Sequence, residues 1–357
     1  MSTQPVASGL ARQRRWLRGF ARMVQAAFLH VQVSGLEHVP PDGPLLVLFN
    51  HLSSLDGPLV MANFPHELEL VGPGDFTLAF PGPLVVKAYG MTLIKRGQAD
   101  RTSLKVIIAH LRAGRRLAMA PEGGTWEKGL ADVKPGAAYV SQLTQTPILP
   151  VGVGGAYQVE DRLLTRPRLT VRFGELMPPV PASQDRRMRE ADLEAASREI
   201  MARLYDLLPP EDQARYDQWG RAAYTLRLDF QTDDGTPLAY DGPPLPDLGA
   251  LAEFLGKPNL FRPVWQNARL PVEPLRERRF FFPLEVQISL RMVEDLLTAG
   301  DYAEYLAYRL GDEQAQAALD GLRAVRGACD WALRHHARVR LEPVAAMTAG
   351  VPAGQPD

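Results

Sequence analysis

Between residues 31 and 210, short apolar runs closed by polar or turn residues alternate with stretches whose apolar side chains recur at three- and four-residue steps. A chain written this way buries both kinds of apolar face by laying helices on a sheet. Val31-Gln32-Val33, Pro44 to Phe49, Leu68 to Val71, Gly90 to Arg96, Arg116 to Ala120, Ile148 to Val153 and Leu169 to Phe173 read as strands. Helices are expected after Asp56, over Arg101 to Arg112 with Gly114 as the stop, from Pro135 to about Gln145, and from Leu193 to Leu208 ahead of Pro209-Pro210. The fold class that follows is α/β, a mixed central sheet flanked by helices. Pro150 has no N–H to give a neighbour, so its strand is expected at a sheet edge or a bulge.

His51, Arg96 and Glu122 each fall at the C-terminal end of one of these strands, where open α/β sheets place their ligand crevice. His51 and Asp56 are five residues apart, a step that does not put them on one helix face. They meet if residues 52–55 turn and Asp56 opens the next helix, with Ser53 or Ser54 as its cap. The carboxylate then holds one ring nitrogen and leaves the other free to take a proton. This is the histidine–aspartate half of a serine-hydrolase triad without its serine, a vacancy that a substrate hydroxyl would fill. The plainer alternative is a capping aspartate beside an incidental loop histidine. No Gly-x-Ser-x-Gly elbow is present, which disfavours an acyl-serine intermediate. No His or Cys cluster has metal-ligand spacing, so neither a metal nor a cofactor is expected.

A chain of 357 residues suggests two domains, or one large domain with an extension. A net charge of −1 excludes a globally basic surface of the kind that binds nucleic acid. Cys329, the sole cysteine, forms no internal disulfide; a reducing compartment and a buried, inert thiol are expected. No run of eighteen apolar residues supplies a conventional membrane span, and Arg12, Arg14, Arg15, Arg18 and Arg22 interrupt any secretory signal. Over residues 9–30, Trp16, Leu17, Phe20, Met23, Val24, Ala27 and Phe28 form one apolar stripe beside those arginines. That combination predicts a basic amphipathic helix lying on an anionic membrane surface. The alternative is a helix packed on its own domain with a solvated basic face. The expected location is cytoplasmic, peripheral on the inner face of the cell membrane.

Four blocks in order resemble the glycerolipid acyltransferase family that includes the 1-acylglycerol-3-phosphate acyltransferases (lysophospholipid acyltransferases). Asn50-His51-Leu52-Ser53-Ser54-Leu55-Asp56 matches the Asn-His-x4-Asp motif, and Gly90 to Arg96 the strand ending in a basic residue. Pro121-Glu122-Gly123 matches part of Pro-Glu-Gly-Thr-Arg, with Lys134-Pro135-Gly136-Ala137 and Thr146 to Val151 further on. The resemblance covers roughly residues 31–210. It implies transfer of a fatty acyl group from a thioester, acyl-CoA or acyl carrier protein, to a hydroxyl of a lysophospholipid or related acceptor. His51 and Asp56 would be catalytic. Asn50, Lys95, Arg96, Glu122, Gly123, Gly124 and Lys134 would line the substrates, with the cations holding an anionic headgroup. The chain departs from the pattern at Gly124-Thr125, where the family has Thr-Arg. If that arginine binds phosphate, the acceptor here is less anionic than lysophosphatidic acid.

The expected organisation is an interfacial helix over 1–30, an acyltransferase domain over 31–215, a mainly helical accessory region over 216–343 and a disordered tail over 344–357. In the accessory region Tyr224 to Phe230 alternates as a strand, residues 236–283 are proline-rich, and Glu285–Leu297, Tyr302–Leu310 and Glu313 to about Arg338 read as helices. Two rival functions remain at this stage: a decayed lipid-binding or scaffold protein acting through its C-terminal region, and a thioester hydrolase in which His51 activates water.

Overall fold

The structure is a computed structural model that describes residues 8–74, 82–95, 100–124, 127, 129, 135–182, 185–219, 222–268, 279–299 and 302–347. The described residues fall into two compact units, one ending at Trp219 and the other starting at Ala222.

The first unit is built on a seven-stranded sheet. Its strands are β1 (His30–Ser34), β2 (Leu45–Phe49), β3 (Glu69–Pro73), β4 (Thr92–Ile94), β5 (Arg116–Met119), β6 (Ile148–Gly154) and β7 (Arg168–Phe173). Their order across the sheet is β1-β7-β6-β2-β5-β3-β4. From β6 to β4 every neighbouring pair is parallel, whereas β7 runs antiparallel to β6 and parallel to β1. The sheet is therefore mixed, and the five parallel strands end along one edge. β2 and β6 are buried at every residue, as continuous apolar strands covered on both faces should be.

Helices α1 (Ser8–Phe28), α2 (Asp56–Asn63), α3 (Gly82–Tyr89), α4 (Arg101–Arg112), α5 (Gly136–Thr144), α6 (Arg186–Asp206) and α7 (Pro210–Trp219) complete this unit. Two apolar clusters, one on each side of the central strands, contain Val47 with Val151 and Leu46 with Ile148. Alternate residues of β2 thus feed opposite cores, as a strand's period of two requires.

Pro150 lies in an interior strand rather than at a sheet edge, and the expected bulge is present beside it. The strand pairs at Ile148 with Met177 and again from Val151 with Phe173, so the partner side carries one extra residue between these pairs. The Pro150 carbonyl accepts from Gly174 N, and its absent N–H falls at this break in the ladder.

The second unit holds a three-stranded antiparallel sheet of β8 (Ala222–Thr232), β9 (Pro237–Leu238) and β10 (Ala337–Met347), in the order β10-β8-β9. Helices α8 (Gly249–Gly256), α9 (Pro258–Ala268), α10 (Pro283–Thr298), α11 (Tyr305–Leu310) and α12 (Asp312–Arg334) pack with it around a separate core. The expected boundary at 215/216 and the tail from 344 both shift. α7 continues to Trp219 in the first unit, and Val344 to Met347 pair with β8 as the end of β10. The helix expected to about Arg338 stops at Arg334, and His336 takes a positive φ of 50° before the chain turns into that strand.

Candidate active site

The turn after β2 is built around one carboxylate. Asp56 is the first residue of α2 and is fully buried. Its Oδ2 accepts from Leu52 N at 2.6 Å, Ser53 N at 2.7 Å and His51 Nδ1 at 3.1 Å. Four intervening residues are what the chain needs to wrap round that oxygen and return the imidazole to it. Burial pushes the Asp56 carboxyl above the ordinary carboxylate range, against the pull of the His51 bond and the two amides. With Nδ1 facing Asp56, Nε2 has no hydrogen-bond partner among the described residues, and the side chain is 24% exposed. The expected cap differs. Leu55 occupies the position before α2 without a side-chain cap, while Ser53 Oγ accepts from Leu55 N and donates to Glu160.

Glu122 sits beside this turn. Gly123 N donates to Ala120 O, closing a reverse turn with Pro121 and Glu122 at its two corner positions; proline favours the first of these. Gly123 takes φ 74°, a value that glycine adopts without steric cost. The Glu122 carboxylate is thereby delivered to the backbone of the neighbouring strand end, where its Oε1 accepts from His51 N at 2.7 Å. Gly124 is buried next to this turn.

Asn50 is not turned to a ligand. Its Nδ2 donates to Val153 O at 2.9 Å and its Oδ1 accepts from Val153 N at 2.7 Å, so both ends of the amide fasten the His51 turn to β6. Lys95 follows β4 and is exposed, its amide donating to Asp100 Oδ2 at 3.0 Å. Three strand spacings separate β4 from β2, about 14 Å at about 4.8 Å each. Arg96 and Lys134 lie outside the described residues. Among those described, no group of three or more His, Cys, Asp or Glu is placed to hold a metal.

Several residues around the dyad were not anticipated. Glu160 Oε1 accepts from Ser53 Oγ, Ser54 N and Ser54 Oγ at 2.7–3.0 Å, gripping the middle of the turn. Tyr216 of α7 donates to Glu122 Oε1 at 3.1 Å, and Tyr157 donates to buried Glu127 at 2.8 Å. Leu52 packs with Leu208 and Tyr216 in a small buried cluster. The only signal of these contacts in the sequence is the glycine alternation of β6. A Cβ at Gly152 would meet Leu207 Cβ at 2.5 Å and one at Gly154 would meet Pro209 at 2.4 Å, so the α6–α7 connection lies directly on that strand.

Residues 30–154, the stretch that carries the His51–Asp56 pair and Glu122, match the family model described as Acyltransferase. These residues are similar to that family over about a third of the chain. Over 161 residues the chain is 30% identical to 1-acyl-sn-glycerol-3-phosphate acyltransferase alpha of Ovis aries, covering 43% of this chain and 55% of that protein. The Homo sapiens protein of the same name is likewise 30% identical over 161 residues, with 56% of its length covered. The chain thus spans about half the length of the curated relatives it matches. The crystal structure of the 1-acyl-sn-glycerophosphate (LPA) acyltransferase PlsC from Thermotoga maritima is similar at TM-score 0.40 and 20% identity, over 53% of this chain and 78% of that one.

Proposed function

We propose that the chain transfers a fatty acyl group from a thioester, acyl-CoA or acyl carrier protein, to a hydroxyl of a lysophospholipid-type acceptor. One observation carries this reading: an imidazole held at Nδ1 by a buried carboxylate, at the end of the central strand of an acyltransferase-family domain. A hydroxyl becomes a competent nucleophile when a base takes its proton in the transition state, a task suited to neutral histidine near pH 7. His51 Nε2 takes the acceptor's proton while the hydroxyl oxygen attacks the thioester carbonyl carbon. The carbon–sulfur bond breaks, and the departing thiolate receives the proton from the imidazolium. The products are acylated lipid and free thiol, with no covalent acyl-enzyme and no resident cofactor. Asp56 fixes the tautomer and stabilises the imidazolium. Lys95, Arg96 and Lys134 supply cations for an anionic headgroup, and Gly124 offers a backbone N–H group, that of Gly123 being committed to Ala120 O. The absent arginine after Gly123-Gly124 favours an acceptor less anionic than lysophosphatidic acid.

The test is to offer the full chain one defined acyl-CoA or acyl carrier protein with a panel of lysophosphatidic, zwitterionic and neutral lysolipids, and to identify products by mass spectrometry. Acylated lipid is expected, and His51→Ala should lower turnover by more than tenfold. Free fatty acid as the sole product would indicate a hydrolase instead.

We further propose that α1 seats the domain peripherally on an anionic membrane, on the cytoplasmic side. What supports this is its outer face: Trp16 is 67% and Met23 61% exposed, with Phe20, Val24 and Phe28 beside them and Trp16 stacked on Phe20 at 5.7 Å. Large amphipathic aromatics suit a bilayer interface. No described helix is long and apolar enough to cross a membrane. A doubly substituted Trp16→Glu/Phe20→Glu chain should lose sedimentation with vesicles containing anionic lipid while keeping its thermal midpoint; retained binding would remove this face from the interface.

A further inference from the structure

We infer that Tyr216 is a positioning residue for the His51–Asp56 pair, acting through Glu122, and that α7 is therefore a working part of the active site although it lies outside the matched residues 30–154. The inference rests on the acyl-transfer reading above for its catalytic consequence only.

Glu122 Oε1 is shared by two donors, the backbone N–H of His51 at 2.7 Å and the phenol of Tyr216 at 3.1 Å. The carboxylate is the part that touches the catalytic turn, and the phenol helps set where that carboxylate stands. Tyr216 is about 1% exposed and its hydroxyl titrates well above the ordinary phenol range, because burial and the adjacent Glu122 both disfavour the phenolate. It therefore remains a donor throughout the neutral range. The ring is fixed as well as the hydroxyl: it meets Trp219 edge-on at 5.5 Å and packs with Leu52 and Leu208. Leu52 is the residue next to His51, so one side chain braces the turn by packing and by hydrogen bonding.

The seat of α7 is equally specific. Asp212, one helical turn before Tyr216, is buried and its Oδ2 accepts from Gly155 N at 2.6 Å. Residues four apart share a helix face. One face of α7 thus reaches the ends of β6 (Gly155) and β5 (Glu122), the two strands flanking β2. Glycines at 152 and 154 let the preceding connection lie close enough for this. An acceptor hydroxyl must meet Nε2 at hydrogen-bond distance, and a small displacement of a catalytic group can cost orders of magnitude in rate. A brace on the backbone amide of the catalytic histidine acts on that distance.

The experiment compares wild type, Tyr216→Phe, Glu122→Gln and the double variant, with Tyr205→Phe as a control because that hydroxyl faces Asp217. Hydrogen–deuterium exchange over the peptide spanning residues 49–55 reads the brace directly. In Tyr216→Phe, exchange there should quicken by about tenfold or more, the thermal midpoint should stay within roughly 5 °C of wild type, and Tyr205→Phe should change neither. In the acyl-transfer assay Tyr216→Phe should lower kcat about tenfold with KM for the acyl donor within about twofold, and the double variant should be no worse than Glu122→Gln alone. Unchanged exchange, additive losses, or a kcat loss that comes only with a large fall in thermal midpoint would each overturn the proposal. If wild type acylates no lysolipid, the acyl-transfer reading fails, and the exchange measurement alone still decides whether Tyr216 holds the turn.

Discussion

His51 has one ring nitrogen committed and one open, and that asymmetry is set by atoms rather than by composition. Asp56 Oδ2 holds Nδ1 while two backbone amides hold Oδ2 itself. Asp56→Asn can keep an acceptor oxygen where both amides and the ring need one, since all three use Oδ2, but it loses the negative charge that stabilises the imidazolium. We expect kcat to fall by a factor on the order of 10² with KM little changed, read from steady-state acyl transfer on chain whose circular dichroism matches wild type. The dyad was legible in the sequence because both partners lie within five residues, inside a turn that a strand and a helix must share. The role of Asn50 was not legible, because its partner Val153 is 103 residues away in sequence. Glu122 was marked as a site residue, yet the group it holds is the amide of His51, and no side-chain pattern reports on a backbone donor.

At the scale of elements, α1 shows where periodicity stops being informative. The apolar stripe and the arginines were both visible, but their assignment to solvent and to the domain was not. Arg14, Arg18 and Arg22 recur every four residues and face the first unit. Arg14 forms two bonds to Glu69 at 2.8 and 2.9 Å, Arg18 donates to His66 O, and Arg22 donates to Ala62 O. Arg14 is 4% exposed, whereas Arg15, beside it in sequence, is 68% exposed. Removing Arg14 takes two hydrogen bonds from buried Glu69 but leaves Arg115 bonded to it at 3.2 Å, so Arg14→Ala should cost about 1–3 kcal/mol in urea unfolding. Arg15→Ala should cost less than about 1 kcal/mol. The same pair makes stability depend on pH. Burial alone would raise the Glu69 pKa, but Arg14, His110 and Arg115 bring it below its usual 4.5. A depressed carboxylate stabilises the fold above its unfolded pKa and loses that contribution as pH falls through the folded value. Thermal midpoints should therefore decline below about pH 4.5, and Glu69→Gln, less stable near neutrality, should show a shallower decline over that acid range.

Across the whole molecule, legibility tracks the distance between partners. The mixed sheet of the first unit was readable strand by strand, since each strand is a local apolar run. The second unit was readable in its long helices and in β8, whose alternation over Tyr224 to Phe230 is local. β10 was taken for the end of a helix and a loose tail because its partner β8 begins more than a hundred residues earlier, and its Val-Arg-Leu-Glu alternation gains meaning only beside that strand. Cys329 gives this unit a built-in reporter. Its thiol is buried in the α12 core and pushed up to about 12 by desolvation. It should resist an aromatic disulfide reagent at pH 8 in the native chain and react fully in denaturant; rapid native labelling would contradict this packing.

The latch of α7 on the ends of β5 and β6 bears on where such a protein can be divided. A fragment trimmed at Gly154 would carry every residue of the matched stretch, including the imidazole, its carboxylate and Glu122. It would lack Asp212 and Tyr216, along with Glu160 and the antiparallel strand that flanks β6. Transplanting the matched stretch into another scaffold would accordingly move the reagents without the jig that aligns them.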